Sequence, residues 1–256
     1  MTYVDRPGAW RGGRVIGILF VTLMAPAAGA LAVTAIRAHD LPTVFVAAAF
    51  SLAVCVAAVG VVRTRVLERV QPDIDFAGGL ITLRYDRLYD RLIRAALAVA
   101  AAGGIVFVVL VPMGKLDLSL TPGQRTFFPV AVGIIVVAAI YGEYARRKHG
   151  PPSVTLDEEA VTHHRTSSST TFRWVDITRI EAERTEARPA RDVVIVESVG
   201  DPARYVIGDA PWYTPGGATL YAMLRFYWLN PAARIELTDG RAFQRLSAEE
   251  FVDSGP

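Results

Sequence analysis

Cysteine is nearly absent from this chain of 256 residues: Cys55 stands alone. One thiol excludes an internal disulfide and a cysteine-rich metal site, and within an apolar run it reads as a small packing residue. Histidine is scarce too, at four residues. His163 and His164 are adjacent on an expected strand, where neighbouring side chains point to opposite faces, so they cannot chelate one metal together. His39 and His149 lie elsewhere and complete no ligand set. No Gly-x-Ser-x-Gly elbow surrounds Ser167-Ser168-Ser169, which reads as a polar turn. Gly78-Gly79 and Gly216-Gly217 lack the spacing and lysine of a phosphate loop. The expectation is a non-enzymatic protein with no catalytic residue, no metal and no cofactor.

Charge is missing from four long stretches. Val15–Ile36, Leu41–Val62, Ala95–Gly114 and Thr126–Gly142 contain no Asp, Glu, Lys or Arg. A helix needs about 17–25 mostly apolar residues to cross a bilayer, so each is an expected span. Residues 1–148 form the expected membrane domain. The apolar run from Val15 to Ile36 is too long for the core of a cleaved signal peptide, although Ala28-Gly29-Ala30 resembles a cleavage site. Small residues Ala100–Gly104 predict close helix packing rather than a permeation path.

The net charge of +2 hides an asymmetry. Residues 1–148 carry 16 Lys/Arg against 9 Asp/Glu, and residues 149–256 carry 11 against 16. The acidic second half disfavours nucleic acid as a partner. Arginine and lysine cluster before the first span, between the second and third, and after the fourth. By the positive-inside rule those segments are cytoplasmic, and so are both termini. The cytoplasmic connection breaks at Gln71–Gly79 and then shows helical spacing. An amphipathic helix over about 80–94 is expected to run into the third span. Arg84, Arg87, Arg91 and Arg94 would share one face of it, gripping anionic lipid headgroups or simply fixing topology.

Beyond Gly150-Pro151-Pro152 the pattern turns to short strands: 153–156, 160–165, 170–174, 177–183, 193–199 and 204–207. With no helix between them, antiparallel pairing is expected, and the segment from Gly150 is expected to fold by itself. A helix capped by Thr214-Pro215 follows, running to about Leu229. Asp239-Gly240 suggests a late hairpin turn, and residues 241–256 a C-terminal tail. Trp212 and Tyr213, between flanking prolines, either anchor a partner or plug the end of a barrel; the plug is favoured.

These residues carry a resemblance. Val154–Val161, Phe172–Ile177 and the helix leading into Tyr227–Arg234 resemble bacterial, especially actinobacterial, pleckstrin-homology-like (PH-like) domains over roughly residues 150–240. The resemblance implies a small antiparallel β barrel capped by a C-terminal helix; the four uncharged stretches make the rest an expected α-helical membrane bundle of four spans. It also implies a binding or scaffolding role with an unidentified protein partner, in a bacterial plasma membrane. Family members that bind phosphoinositides use a basic loop after the first strand. Here that loop is Asp157-Glu158-Glu159, so no phosphoinositide binding is expected. A transporter or channel subunit with a regulatory domain is the alternative, and a membrane enzyme the third.

Overall fold

A computed structural model of the chain describes residues 30, 33, 40–67, 69–116, 118, 120–184, 192–248 and 250–251. The chain divides into two compact units. One holds Arg14–Val62 and Leu88–Lys148, the other Arg63–Arg87 and His149–Pro256.

The first unit is helical. Helix α1 covers Leu41–Val61, α2 Arg87–Leu110 and α3 Pro122–His149. All three are long and apolar enough to cross a membrane. The expected first span, Val15–Ile36, lies outside the described residues except for Ala30 and Val33. Helix α3 leaves Ile134, Ile135 and Val137 about two-thirds exposed, an apolar exterior that suits lipid rather than water. Small residues bring the helices together. A Cβ on Gly103 would fall 2.7 Å from the Cβ of Ala49 on α1, and one on Gly104 would fall 2.5 Å from Val136 Cγ2 on α3. The small-residue run therefore packs α2 against both neighbours.

At one end α2 and α3 exchange ion pairs. Arg94 donates to both carboxylate oxygens of Glu143, at 3.1 and 2.6 Å, and Arg146 meets Asp90 at 2.5 Å.

The second unit is built from two separated pieces of chain. Strands β1 (Asp73–Ala77) and β2 (Leu80–Arg84) come from the connection between α1 and α2. They form a hairpin whose two turn residues, Gly78 and Gly79, have φ of 63° and 76°. Such a two-residue turn needs positive φ at both positions, which glycine adopts freely. Strand β2 then pairs antiparallel with β3 (Ser153–Leu156), setting Ile81 opposite Leu156 and Arg84 opposite Ser153. Strands β4 (Ala160–Arg165) and β5 (Ser168–Arg173) complete a five-stranded meander in the order β1-β2-β3-β4-β5. A second antiparallel sheet contains β6 (Ile177–Arg184), β7 (Asp192–Ser198) and β8 (Arg204–Ile207).

The hairpin corrects the expected amphipathic helix over 80–94. Residues 80–84 are a strand, and helix begins at Arg87. The apolar residues there fit both periods, and pairing with β3 selects the period of two, sending Ile81 and Leu83 into the core at 0 % exposure. The second unit consequently starts well before residue 150, and the segment from Gly150 is not a closed set of strands.

After β8 come a short helix α4 (Ala210–Tyr213) and a 3-10 turn over Pro215–Gly217. Helix α5 (Ala218–Leu229) follows, with Leu220, Met223, Leu224 and Tyr227 fully inside the core. Thr214 still serves this helix: its Oγ1 accepts the Leu220 N–H at 3.2 Å. At the far end Arg234 donates to the carbonyls of Tyr227 and Trp228, closing the carboxyl terminus of α5. Instead of a late hairpin, Asp239-Gly240 forms a corner between α6 (Glu236–Asp239) and α7 (Arg241–Ser247). Gly240 at φ 83° serves a helix corner as readily as a hairpin. The late residues lack β-branched alternation, so nothing there recruits a strand.

Two outcomes test this architecture. A fragment of residues 150–256 lacks the partner that covers β3, and the burial of Ile81 and Leu83, about 1.5–3 kcal/mol each, is lost with it. Such a fragment should melt without cooperativity by circular dichroism, and adding residues 63–87 as a peptide should restore a sharp transition. A cooperative melt of the fragment alone would show the hairpin to be dispensable. In the helical unit, Gly104→Ala should lower thermal stability in detergent by about 1–3 kcal/mol through overpacking. Gly142→Ala, with open space at its Cβ, should change little.

Candidate functional site

The second unit buries an unusual set of polar side chains where the hairpin meets the C-terminal segment. His163 on β4 and Tyr213 on α4 are both 0 % exposed, and Asp209 is buried beside them. Asp209 Oδ2 accepts the Tyr85 hydroxyl at 2.7 Å, with His163 Nε2 at 3.3 Å and the Tyr213 hydroxyl at 3.4 Å. His163 Nδ1 lies 2.9 Å from the Tyr205 hydroxyl on β8. Nε2 faces Asp209 and Nδ1 faces Tyr205, so both ring nitrogens are used. Asp209 Oδ1 has no hydrogen-bond partner among the described residues.

Four stretches of chain thus converge on one buried cluster. Tyr85 follows β2, His163 lies on β4, Tyr205 on β8, and Asp209 opens the turn into Tyr213. Aromatic contacts frame them. The Tyr85 ring meets Trp212 edge-on at 5.3 Å and Tyr213 at 4.9 Å. Arg165 lies over the Tyr205 ring at 5.5 Å. Burial is the largest influence on the Asp209 carboxyl and pushes it upward. The His163 hydrogen bond and charge, the Tyr85 hydroxyl and the backbone together outweigh it and hold Asp209 below the usual carboxylate range. Burial, then the nearby Asp209 charge, raises the Tyr213 phenol. Tyr213 therefore stays a neutral donor.

Beside this hub lies a second buried carboxylate. Asp86 accepts Arg63 Nη1 at 2.5 Å and the Gln71 backbone N–H at 2.8 Å. Its own N–H points to the Trp212 carbonyl at 3.4 Å. The side chain is 2 % exposed. A buried charge of this kind is tolerable because a cation and an amide share it.

The residues expected to act separate in the structure. Tyr213 is fully buried and offers no surface to a partner, while Trp212 is half-buried against Tyr85. The four arginines do not form one stripe. Arg84 lies on β2 and pairs with Asp75 at 3.1 Å, and Arg87 pairs with Asp73 at 2.8 Å. Arg94 is taken by Glu143, and Arg91 is exposed on α2. In the β3–β4 turn, Asp157 Oδ1 accepts the N–H groups of Glu159 and Ala160, and Glu158 and Glu159 are exposed. His163 turns inward and His164 is half-exposed, as strand alternation requires.

Sequence reasoning missed Tyr85, Asp86, Tyr205 and Asp209. The available signal was Tyr85-Asp86 between an apolar alternating run and a helix, a place for polar side chains only if something pairs with them. Compared with protein-family models, curated proteins and solved structures, the chain matches none.

Because the folded Asp209 carboxyl is lowered, its contribution to stability is fully present above its unfolded value, about 3.9. It is lost as pH falls through the lower folded value. At pH 7 Asp209→Asn should destabilise the soluble unit by about 1–3 kcal/mol. The gap between variant and parent should close as melts are taken progressively below about pH 4. A gap that stays constant down to pH 2 would show that Asp209 is not held ionised by this cluster.

Proposed function

We propose that the chain is a four-span protein of a bacterial plasma membrane with both termini in the cytoplasm. Its soluble unit acts as a PH-like interaction or scaffold domain, assembled from the α1–α2 connection and the C-terminal segment. The observation that carries this reading is the β2–β3 ladder, Ile81↔Leu156 to Arg84↔Ser153. Strands that pair must share one side of a bilayer. The two helices between them, α2 and α3, are an even number, which agrees with the side that the arginine distribution selects. Successive antiparallel strands followed by a helix support the PH-like reading.

The domain is joined to apolar helices at three points of the chain, near residues 62, 87 and 149. A domain tied three times is held at the membrane far more firmly than one on a single linker, which suits a module that presents a surface to a partner there. The acidic β3–β4 turn supports a protein partner over a phosphoinositide headgroup. Arg91 remains the one arginine of the expected stripe with no partner among the described residues, which leaves membrane lipid a minor contact.

Orientation is tested by single-cysteine labelling in a Cys55→Ala background. Glu158→Cys should resist an impermeant reagent in intact cells, and Gly123→Cys should react. The reverse pattern would overturn the orientation. For the role itself, purified protein in vesicles should leave ion and solute gradients as tight as protein-free vesicles do. In-membrane crosslinking should recover one reproducible protein with the intact chain and lose it when residues 73–84 are deleted. Solute flux, or recovery unaffected by the deletion, would favour the transporter-subunit alternative.

A further inference from the structure

Two buried carboxylates, Asp86 and Asp209, are joined through adjacent residues. Tyr85 gives its hydroxyl to Asp209 at 2.7 Å, and the next residue, Asp86, holds Arg63 at 2.5 Å and the Gln71 amide at 2.8 Å. The Asp86 N–H also meets the Trp212 carbonyl, three residues beyond Asp209. Arg63 additionally accepts the Arg69 N–H on its carbonyl at 3.1 Å. Thus the stretch that follows α1 is ordered by Asp86, and Asp86 is held in place by bonds to the segment that carries Asp209.

We propose that Tyr85-Asp86 is a coupling latch, through which a change at the buried Asp209–His163 hub alters the hold on Arg63, Arg69 and Gln71, where the chain leaves α1. The Tyr85 ring is confined between Trp212 and Tyr213, so a shift of Asp209 or α4 moves the ring instead of being absorbed by rotation. The neighbouring backbone unit of Asp86 must follow, because a peptide plane separates the two residues. Asp86 then gives up or tightens its hold on Arg63 and Gln71. The groups facing the latch are Asp209, His163 and Tyr213 on the hub side and Arg63 and Gln71 on the other. A partner engaging the C-terminal segment would be sensed in this way where the chain enters the apolar helices. The purpose of the latch rests on the interaction reading above, whereas its wiring is read from side chains.

The test is amide hydrogen exchange of the full chain in lipid nanodiscs. Arg69 and Gln71 serve as reporters and β7 residues 193–196 as the internal reference. Tyr85→Phe keeps the ring contacts and removes only the hydroxyl. It should speed exchange at Arg69 and Gln71 about tenfold, the weight of one hydrogen bond to a charged group, and leave β7 unchanged. Asp209→Asn should act in the same direction. Tyr227→Phe, which removes a similar hydroxyl from Glu236 at 3.4 Å, should leave both reporters unchanged. The latch is overturned if Tyr85→Phe leaves Arg69 and Gln71 as they were, if β7 accelerates equally, or if Tyr227→Phe gives the same pattern. Exchange that behaves as expected in a protein that conducts solute would retain the latch and discard the scaffold role.

Discussion

The structure depends on one ladder of backbone hydrogen bonds between strands that the sequence places far apart. Thr82 and Thr155 face each other across β2 and β3 although they stand 73 positions apart in sequence. Everything in the interval, two apolar helices and their turn, must bring the chain back to β2. Closing so long a loop costs entropy that grows slowly with length. That cost is offset by burying Ile81 and Leu83 against the same core that contains Leu156, Trp174 and Tyr213. The second unit can therefore complete itself only after α3 has been made.

The ladder alone sets register; the buried ionisable groups set which segments meet. Each of three carboxylates gathers donors from separate stretches. Asp86 takes Arg63 and Gln71, Asp209 takes Tyr85, His163 and Tyr213, and Glu236 takes Tyr227 and Arg245. An apolar core tolerates small slips, because contacts between methyl groups are non-directional. A buried carboxylate does not, since a misplaced donor leaves a charge without water or partner. In the Glu236 group the ionic contact and the packing coincide. Arg245 reaches both carboxylate oxygens while its guanidinium sits 4.7 Å over the Phe226 ring.

Much of this was legible in the sequence. The three described spans follow from uncharged runs, and six strands of the C-terminal segment follow from β-branched alternation between Gly, Pro and Asp. Residues 80–84 were not legible because Ile81 and Tyr85 fit a period of two with Leu83 and a helical spacing of four and three with Leu88. Only the partner strand, outside any local window, decides between them. Gly78-Gly79 was visible as a break but not as a hairpin turn, since its first strand, Asp73–Ala77, carries two aspartates. The hub was hidden for a related reason. Its members lie on four elements, and a lone tyrosine or aspartate carries no mark of burial until the elements are assembled.

The arginines show how one set of residues serves two stages. The folded protein pairs Arg63, Arg84, Arg87 and Arg94 with Asp86, Asp75, Asp73 and Glu143, while Arg69 and Arg91 stay exposed. Orientation is chosen earlier, while the chain is being inserted. At that stage Lys and Arg count and acidic residues contribute little. The partners of Arg84 and Arg87 lie on the same connection, yet in an unfolded segment they are not held in place. Glu143 lies beyond a further helix. Under the proposed orientation, the charge of these four arginines is available when topology is set and is taken up as the hairpin and helices settle, so the side chains that direct insertion also brace the folded strands and helices.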